Sequence, residues 1–73
     1  MGWFTAGKVT YTDTKGDHWE RRVAYNDRTG EVERTFGTEH RYSDSKLTNR
    51  KVGEASDAGE ALAKARQDLK DTF

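Results

Sequence analysis

The chain has 73 residues with no cysteine, and its 13 basic side chains (Lys and Arg) balance its 13 acidic ones (Asp and Glu). A chain of this length has room for one domain with a modest core, because it buries only about 60% of its unfolded surface. The charge balance excludes the strong net positive charge of an obligate nucleic-acid binder. The lack of cysteine excludes a disulfide framework and a thiolate metal site.

The lack of cysteine and the N-terminal segment also indicate where in the cell the protein acts. A small secreted domain with so thin a core would normally need disulfides, so we expect a cytoplasmic protein. The segment Met1–Lys8 has neither the basic nor the apolar region of a signal peptide. No stretch approaches the ~20 apolar residues that a membrane-spanning helix needs, so no membrane association is expected.

A short pattern occurs twice in the first half of the chain. The segments Val9–Asp17 and Val23–Glu31 both read Val-x-Tyr-x-Asp-x-x-Gly-acidic. In each copy the Asp suits the first position of a type I turn, and the Gly suits the fourth, where a positive φ forms a hairpin bulge. The pattern therefore predicts two consecutive β-hairpins. Their strands are expected near Lys8–Thr12, Asp17–Asn26 and Glu31–Phe36, with a short fourth strand near Leu47–Val52.

The register of the third strand stays open at this stage. Alternation places five apolar residues of the first two strands on one face, which should meet the helix: Val9, Tyr11, Trp19, Val23 and Tyr25. A second hairpin closed by Asp27 opposite Glu31 would send Val32, Phe36 and Tyr42 to the other face, if the strand runs on through a bulge at Gly37. Either that register differs or both faces carry apolar groups, because a one-residue slip inverts every side chain.

One amphipathic helix is predicted at the C-terminal end. Ser56 or Asp57 can cap it, and Asp57 and Glu60 have capping-box spacing. Its apolar stripe consists of Ala58, Leu62, Ala65, Leu69 and Phe73. The expected fold class is therefore α+β: a small antiparallel β-meander of three to four strands within residues 8–52, packed by a helix over 56–72, as a single domain over 1–73.

No segment matches a catalytic, metal or cofactor motif. The two histidines, His18 and His40, lack the carboxylate spacing of a ligand set, although a continued third strand would place them opposite each other. The glycines stand singly at expected turns and strand ends, which gives no phosphate-binding loop. We therefore expect no enzyme activity, no metal and no cofactor.

The remaining function class is binding. We expect a non-catalytic module of the accessory or inhibitor type that phages and other mobile elements encode, docking on a partner protein. The expected contact residues are Trp3, Phe36, Tyr42, Arg22 and Arg34. Trp3 and Phe4 precede the first predicted strand, where they either complete the core or, if exposed, form interface anchors. A homodimer through a sheet edge or the helix stripe is a further possibility.

The alternative is a nucleic-acid-binding domain. Segment 41–51 contains four basic residues, Arg41, Lys46, Arg50 and Lys51, against one acidic residue. They lie beside Tyr42, a combination that suits phosphate contact and base stacking.

One resemblance points the same way. The run Trp19-Glu-Arg-Arg-Val-Ala-Tyr25 followed by Thr29-Gly30 resembles the arm-type DNA-binding domain of phage tyrosine recombinases, over residues 17–36 and the helix. The long 37–53 stretch departs from that family's short connection. The resemblance implies a three-stranded sheet with one helix, and contact with DNA.

Overall fold

The computed structural model describes residues 2–36 and 48–72. Four strands form one antiparallel sheet in chain order, and a helix follows them. Their bounds are β1 Trp3–Thr12, β2 His18–Asn26, β3 Glu31–Phe36, β4 Thr48–Glu54 and α1 Ala58–Asp71. The structure therefore confirms the α+β class, the β-meander and the C-terminal helix.

Strand β1 starts earlier than the sequence predicted. It begins at Trp3, which pairs with Asn26, whereas the expected start was Lys8. The extension passes through a β-bulge between Thr5 and Gly7, where the ladder shifts by one residue. Gly7 has φ of 148°, and a Cβ there would lie 3.3 Å from Cδ2 of Leu62. A glycine is therefore needed both for the bulge and for the close approach of α1.

The first hairpin has the predicted geometry. The amide of Gly16 donates to the carbonyl of Asp13 at 3.0 Å, and the amide of Asp13 donates to the carbonyl of Asp17 at 3.0 Å. Gly16 has φ of 89°, as the hairpin bulge requires. The Asp13 carboxylate also accepts from the indole Nε1 of Trp19 at 2.9 Å and from the amide of Lys15 at 2.9 Å. These bonds, led by the one from Trp19, lower the pKa of Asp13.

The second hairpin differs from the predicted register by one residue. Its turn opens at Asn26, whose carbonyl accepts from the amide of Gly30 at 2.7 Å. The Asn26 side chain also accepts from the amides of Arg28 and Thr29, at 2.9 Å and 3.3 Å. Because an Asx side chain stabilises the turn that follows it, Asn26 takes the position predicted for Asp27.

This shift corrects the prediction for the third strand. Tyr25 pairs with Val32 and not with Glu33. Val32 is therefore fully buried in the core, at 0% exposure, and of the two alternatives that the sequence left open, the register is the one that differs. Phe36 has the same strand parity as Val32, so it also lies on the helix side, while Tyr42 and the proposed bulge at Gly37 lie outside the described residues.

The core lies between this sheet face and α1. Tyr11 and Trp19 pack against it, so the predicted alternation of β1 and β2 is confirmed. Its buried apolar residues are Val9, Val23, Tyr25, Val32, Ala61, Ala65 and Leu69. The Tyr25 hydroxyl satisfies its polar end by donating to the carbonyl of Ala55 at 3.0 Å.

Helix α1 begins with a side-chain cap and presents a stripe of small residues. Asp57 is the N-cap, and its carboxylate accepts from the amide of Glu60 at 2.8 Å. Ala61 joins the predicted stripe because it lies one turn before Ala65. Phe73, the last predicted member of that stripe, lies outside the described residues.

Candidate binding surface

Two aromatic side chains at the start of β1 are exposed. Trp3 is 47% exposed and Phe4 is 41% exposed, although large apolar side chains of the described chain are otherwise at least partly buried. Phe4 lies on the helix side, with its ring perpendicular to that of Tyr25 at a centroid distance of 5.8 Å. Because side chains alternate along a strand, Trp3 faces the side that carries no helix. The aromatic pair thus covers both faces at one end of β1.

The backbone of β1 forms an edge of the sheet. Within the described residues β1 pairs only with β2, and hydrogen bonds from Asp27 to Gly2 and from Asp13 to Asp17 turn its two ends toward that strand. In an antiparallel ladder, successive residues direct their N–H and C=O groups alternately toward the partner strand and away from it. Every second residue of β1 therefore directs its peptide groups away from β2. These positions include Trp3 and Thr5 before the bulge, and Thr10 and Thr12 after it.

Hydrogen bonds to the second hairpin hold the first residues of this edge in place. The amide of Gly2 donates to Oδ1 of Asp27 at 2.8 Å, and the carbonyl of Gly2 accepts from the amide of Asp27 at 3.3 Å. The bond from the Gly2 amide is the main cause of the lowered pKa of Asp27. Trp3 therefore follows a fixed backbone, which reduces the entropy lost when its side chain binds.

A groove runs between β1 and the flank of α1. It has a volume of about 270 Å³ and is lined by Tyr11, Ala63, Arg66, Gln67 and Lys70. Arg66 and Lys70 are exposed, and neither forms an ion pair with any residue in the described ranges. The amide of Gln67 donates to Asp71 at 2.8 Å. The groove is therefore positively charged and open to solvent.

The open face of the sheet is mostly polar. Lys8 and Glu20 form an ion pair at 3.2 Å on it, and Arg22 is exposed beside Lys8 on the neighbouring strand. Among the aromatic side chains of the described strands, Trp3 is the one that lies on this open face. Among the described residues, the large exposed apolar side chains thus lie at the start of β1.

Arg34 does not belong to this surface. It is 1% exposed, and its Nε donates to Oδ2 of Asp68 at 2.8 Å. Its Nη1 donates to the carbonyl of Thr35 and its Nη2 to the hydroxyl of Thr72, both at 3.0 Å. The register shift explains this burial, because Arg34 opposite Val23 faces the helix. Arg34 joins β3 to the end of α1 and is not presented to a partner.

Phe36 lies at the opposite end of the sheet from Trp3. It is half-buried, with the guanidinium of Arg34 over its ring at 3.6 Å and that of Arg50 at 5.3 Å. The structure therefore does not bring the predicted contact residues together: Trp3 and Arg22 are exposed in different parts of the sheet, and Tyr42 lies outside the described residues.

The basic residues of the nucleic-acid alternative are also separated. Arg50 and Lys51 are both exposed but stand at consecutive positions of β4, which places them on opposite faces. The ammonium of Lys51 lies 3.5 Å from carboxylate oxygens of both Glu31 and Glu54. Arg41 and Lys46 lie outside the described residues. The part of β4 that the structure describes does not form one continuous basic surface.

Residues 2–36 and 48–72 contain neither a metal-ligand cluster nor a membrane-spanning helix. In these ranges no three His, Cys, Asp or Glu side chains come together as a metal site would require. His18 lies with Nδ1 at 2.9 Å from the Thr12 hydroxyl, and His40 is outside these ranges. No described helix has the length and apolar character to cross a membrane.

The fold and this surface define a four-stranded sheet-and-helix domain with an exposed aromatic strand edge. No protein-family model, curated protein or solved structure matches the chain.

Sequence reasoning missed the groove, whereas it offered Phe4 together with Trp3 as an interface anchor if exposed. The apolar stripe of the helix predicts only the face that packs on the sheet. A closer signal was available in the spacing of Ala63, Arg66 and Lys70, which form a flank without an acidic residue.

Proposed function

We propose that this protein is a non-catalytic binding module that docks on a partner protein, in the manner of an accessory or inhibitor protein. The observation that carries the proposal is the exposure of Trp3 and Phe4 at the start of an edge strand. The absence of cysteine supports action in a reducing compartment such as the cytoplasm.

Exposed aromatic side chains of this kind are suited to protein contact. Trp is among the residues that contribute most to interfaces, because it buries a large area at a small cost in side-chain entropy. Trp3 stands on a backbone held by Asp27, and Phe4 rests against Tyr25. The partner would therefore meet a pre-organised aromatic pair.

The surroundings favour a protein over a nucleic acid as the partner. Residues 2–7 carry no charged side chain, and phosphate binding depends on clustered Lys and Arg. Two of the four basic residues assigned to nucleic-acid contact, Arg50 and Lys51, diverge to opposite faces of β4. The apolar end of β1 has the depletion of charge that marks the centre of a protein interface.

The test is affinity capture from a bacterial lysate, with and without nuclease treatment, using the wild-type protein and two variants. We expect a stoichiometric protein with the wild type, its loss with Trp3→Ala, and its retention with Arg50→Ala, which alters the other edge. Recovery of nucleic acid in place of protein, with loss on Arg50→Ala and not on Trp3→Ala, would refute the proposal. Both variants should first show wild-type unfolding curves.

A further inference from the structure

We propose that the partner protein contributes an extended acidic segment, which adds to the sheet as a fifth strand beside β1 and places carboxylates on Arg66 and Lys70. This inference rests on the proposed protein-binding function and specifies how the same surface is used. It combines three features of the described residues: an unpaired strand edge, the lack of protective charge at its start, and a basic groove beside it.

The first feature is the backbone of β1. Its outward peptide groups, including those of Thr5 and Thr10, have no strand partner within the described residues. An extended peptide can pair with such an edge, since main-chain hydrogen bonds give affinity whatever the side chains are. Trp3 and Phe4 then contact alternate side chains of the added strand on the two faces.

The second feature is a difference between the two edges of the sheet. Natural edge strands are usually protected by charged residues, which prevent pairing with other chains. Strand β4 follows this rule with Arg50, Lys51 and Glu54, whereas residues 2–7 are uncharged. The first residues of β1 lack this protection and expose aromatic groups, and Lys8, the charged residue that follows them, is ion-paired with Glu20 of β2. This edge is therefore better suited than β4 to accept a strand.

The third feature is the charge and spacing of the groove. Helix α1 runs along β1 in the same direction. Leu62 contacts Gly7, and one to two helical turns later Arg66 and Lys70 line the groove with Tyr11, which lies four residues after Gly7 in the strand. One helical turn separates Arg66 from Lys70, which is about 6 Å along the axis. Alternate residues of a strand are about 6.6 Å apart on one face. Two acidic residues spaced i and i+2 in the added strand would thus match the two cations.

A second copy of this chain fits the groove less well. Antiparallel pairing of two β1 strands would bring the Trp3 end of one copy to the Tyr11 end of the other. Arg66 and Lys70 would then face the uncharged residues 2–7 and would gain no carboxylate. Charge complementarity therefore favours an acidic segment as the occupant.

The test is selection from a display library of random peptides of about ten residues, the length of a long strand. We expect enriched peptides with acidic residues at alternate positions at one end and apolar residues at the other. Arg66→Ala and Lys70→Ala should each weaken binding of an enriched peptide about two- to fivefold, the range of an exposed ion pair. Lys64→Ala is the matched control, because Lys64 lies over Gly53 of β4 and away from the groove.

The outcomes separate the two proposals. Enriched peptides that are not acidic, or that bind Arg66→Ala and Lys70→Ala as tightly as the wild type, would overturn the addition of an acidic strand. If these peptides still require Trp3, the aromatic docking surface stays in place. A library with no enriched peptide would also overturn strand addition, while the lysate capture independently decides the protein-binding function. A sedimentation mass of a dimer that is lost on Trp3→Ala would show that a second copy occupies the edge.

Discussion

The two edge strands of this sheet differ in what their side chains do. On β4, Lys51 is paired with Glu31 and Glu54, and the guanidinium of Arg50 lies over Phe36. At the start of β1, Trp3 and Phe4 are exposed and no charge accompanies them. The charged edge resembles the protected edges of ordinary monomeric sheets, whereas the aromatic edge exposes apolar area that contributes little to folding.

This difference separates residues that stabilise the domain from residues available for binding. Next to β4, Arg34 connects β3 to α1 through Asp68 and Thr72. Along β1, the ladder with β2 and the bonds to Asp27 and Asp13 at its ends fix the backbone, whereas the side chains of Trp3 and Phe4 reach solvent. Substitutions on the β4 side should therefore change stability, and substitutions of the exposed β1 side chains should change binding.

The largest effect is expected at the ion pair between Asp68 and Arg34, one of two buried arginines in the described residues. Asp68→Ala leaves the Arg34 guanidinium 1% exposed without its carboxylate, which should lower the free energy of unfolding by about 3 kcal/mol. Asp71→Ala, an exposed residue of the same helix bonded to Gln67, should change it by less than about 0.5 kcal/mol. Urea denaturation measures both. Equal effects of the two substitutions would show that the Arg34 contact is not structural.

A smaller loss is expected at the bulge of β1. Gly7→Ala introduces a Cβ at φ of 148° and 3.3 Å from Leu62, so the free energy of unfolding should fall by about 2 kcal/mol. Gly16→Ala, at φ of 89° with no atom within 4 Å of the new Cβ, tests the backbone strain without the contact. If Gly16→Ala costs as much as Gly7→Ala, the approach of Leu62 contributes nothing.

The exposed aromatic residue should be neutral for folding. Trp3→Ala should change the free energy of unfolding by less than about 0.5 kcal/mol, because the side chain is 47% exposed on the face without the helix. Val32→Ala, at 0% exposure, should cost about 2 kcal/mol in the same urea titration. A loss on Trp3→Ala comparable to that on Val32→Ala would make Trp3 a core residue.

The smallest effect is a dependence of stability on acid pH. Asp13 and Asp27 have pKa values lowered from the ordinary 3.8, mainly by the Trp19 indole and by the Gly2 amide respectively. Their stabilising contribution is complete above the ordinary pKa and is lost as the pH falls through the lowered pKa. Asp13→Asn should therefore flatten the fall in unfolding free energy below about pH 4. A pH series of urea titrations would contradict this if the two profiles stayed parallel.

Much of the fold follows from the sequence, and the register that the sequence left open was undecided for one physical reason. The repeated Tyr-x-Asp-x-x-Gly pattern predicted both hairpins, and the first turn opens at Asp13 as expected. In the second copy an asparagine precedes the aspartate, and both side chains can stabilise a turn. The turn opens at Asn26, and the pattern alone does not distinguish these two registers.

The same register also accounts for the burial of Arg34, one of the candidate contact residues. With the turn at Asn26, Val32 lies in the core. Arg34, which the sequence offered as a surface contact residue, is buried under the helix. The exposure of Trp3 could not be derived either, because it depends on the bulge at Gly7 that extends β1. The turns could be predicted from a few neighbouring residues. Which side chains reach solvent depends on the register between paired strands, and a local sequence pattern does not determine that register.

The most direct measurement of strand addition is amide hydrogen exchange of the described residues, with and without an enriched acidic peptide. We expect slowed exchange at Thr5 and Thr10, whose peptide groups point away from β2, and unchanged exchange at Asn49 and Lys51 on the opposite edge. Protection confined to β4, or peptide binding that leaves the β1 amides unchanged, would contradict the assignment of β1 as the docking edge.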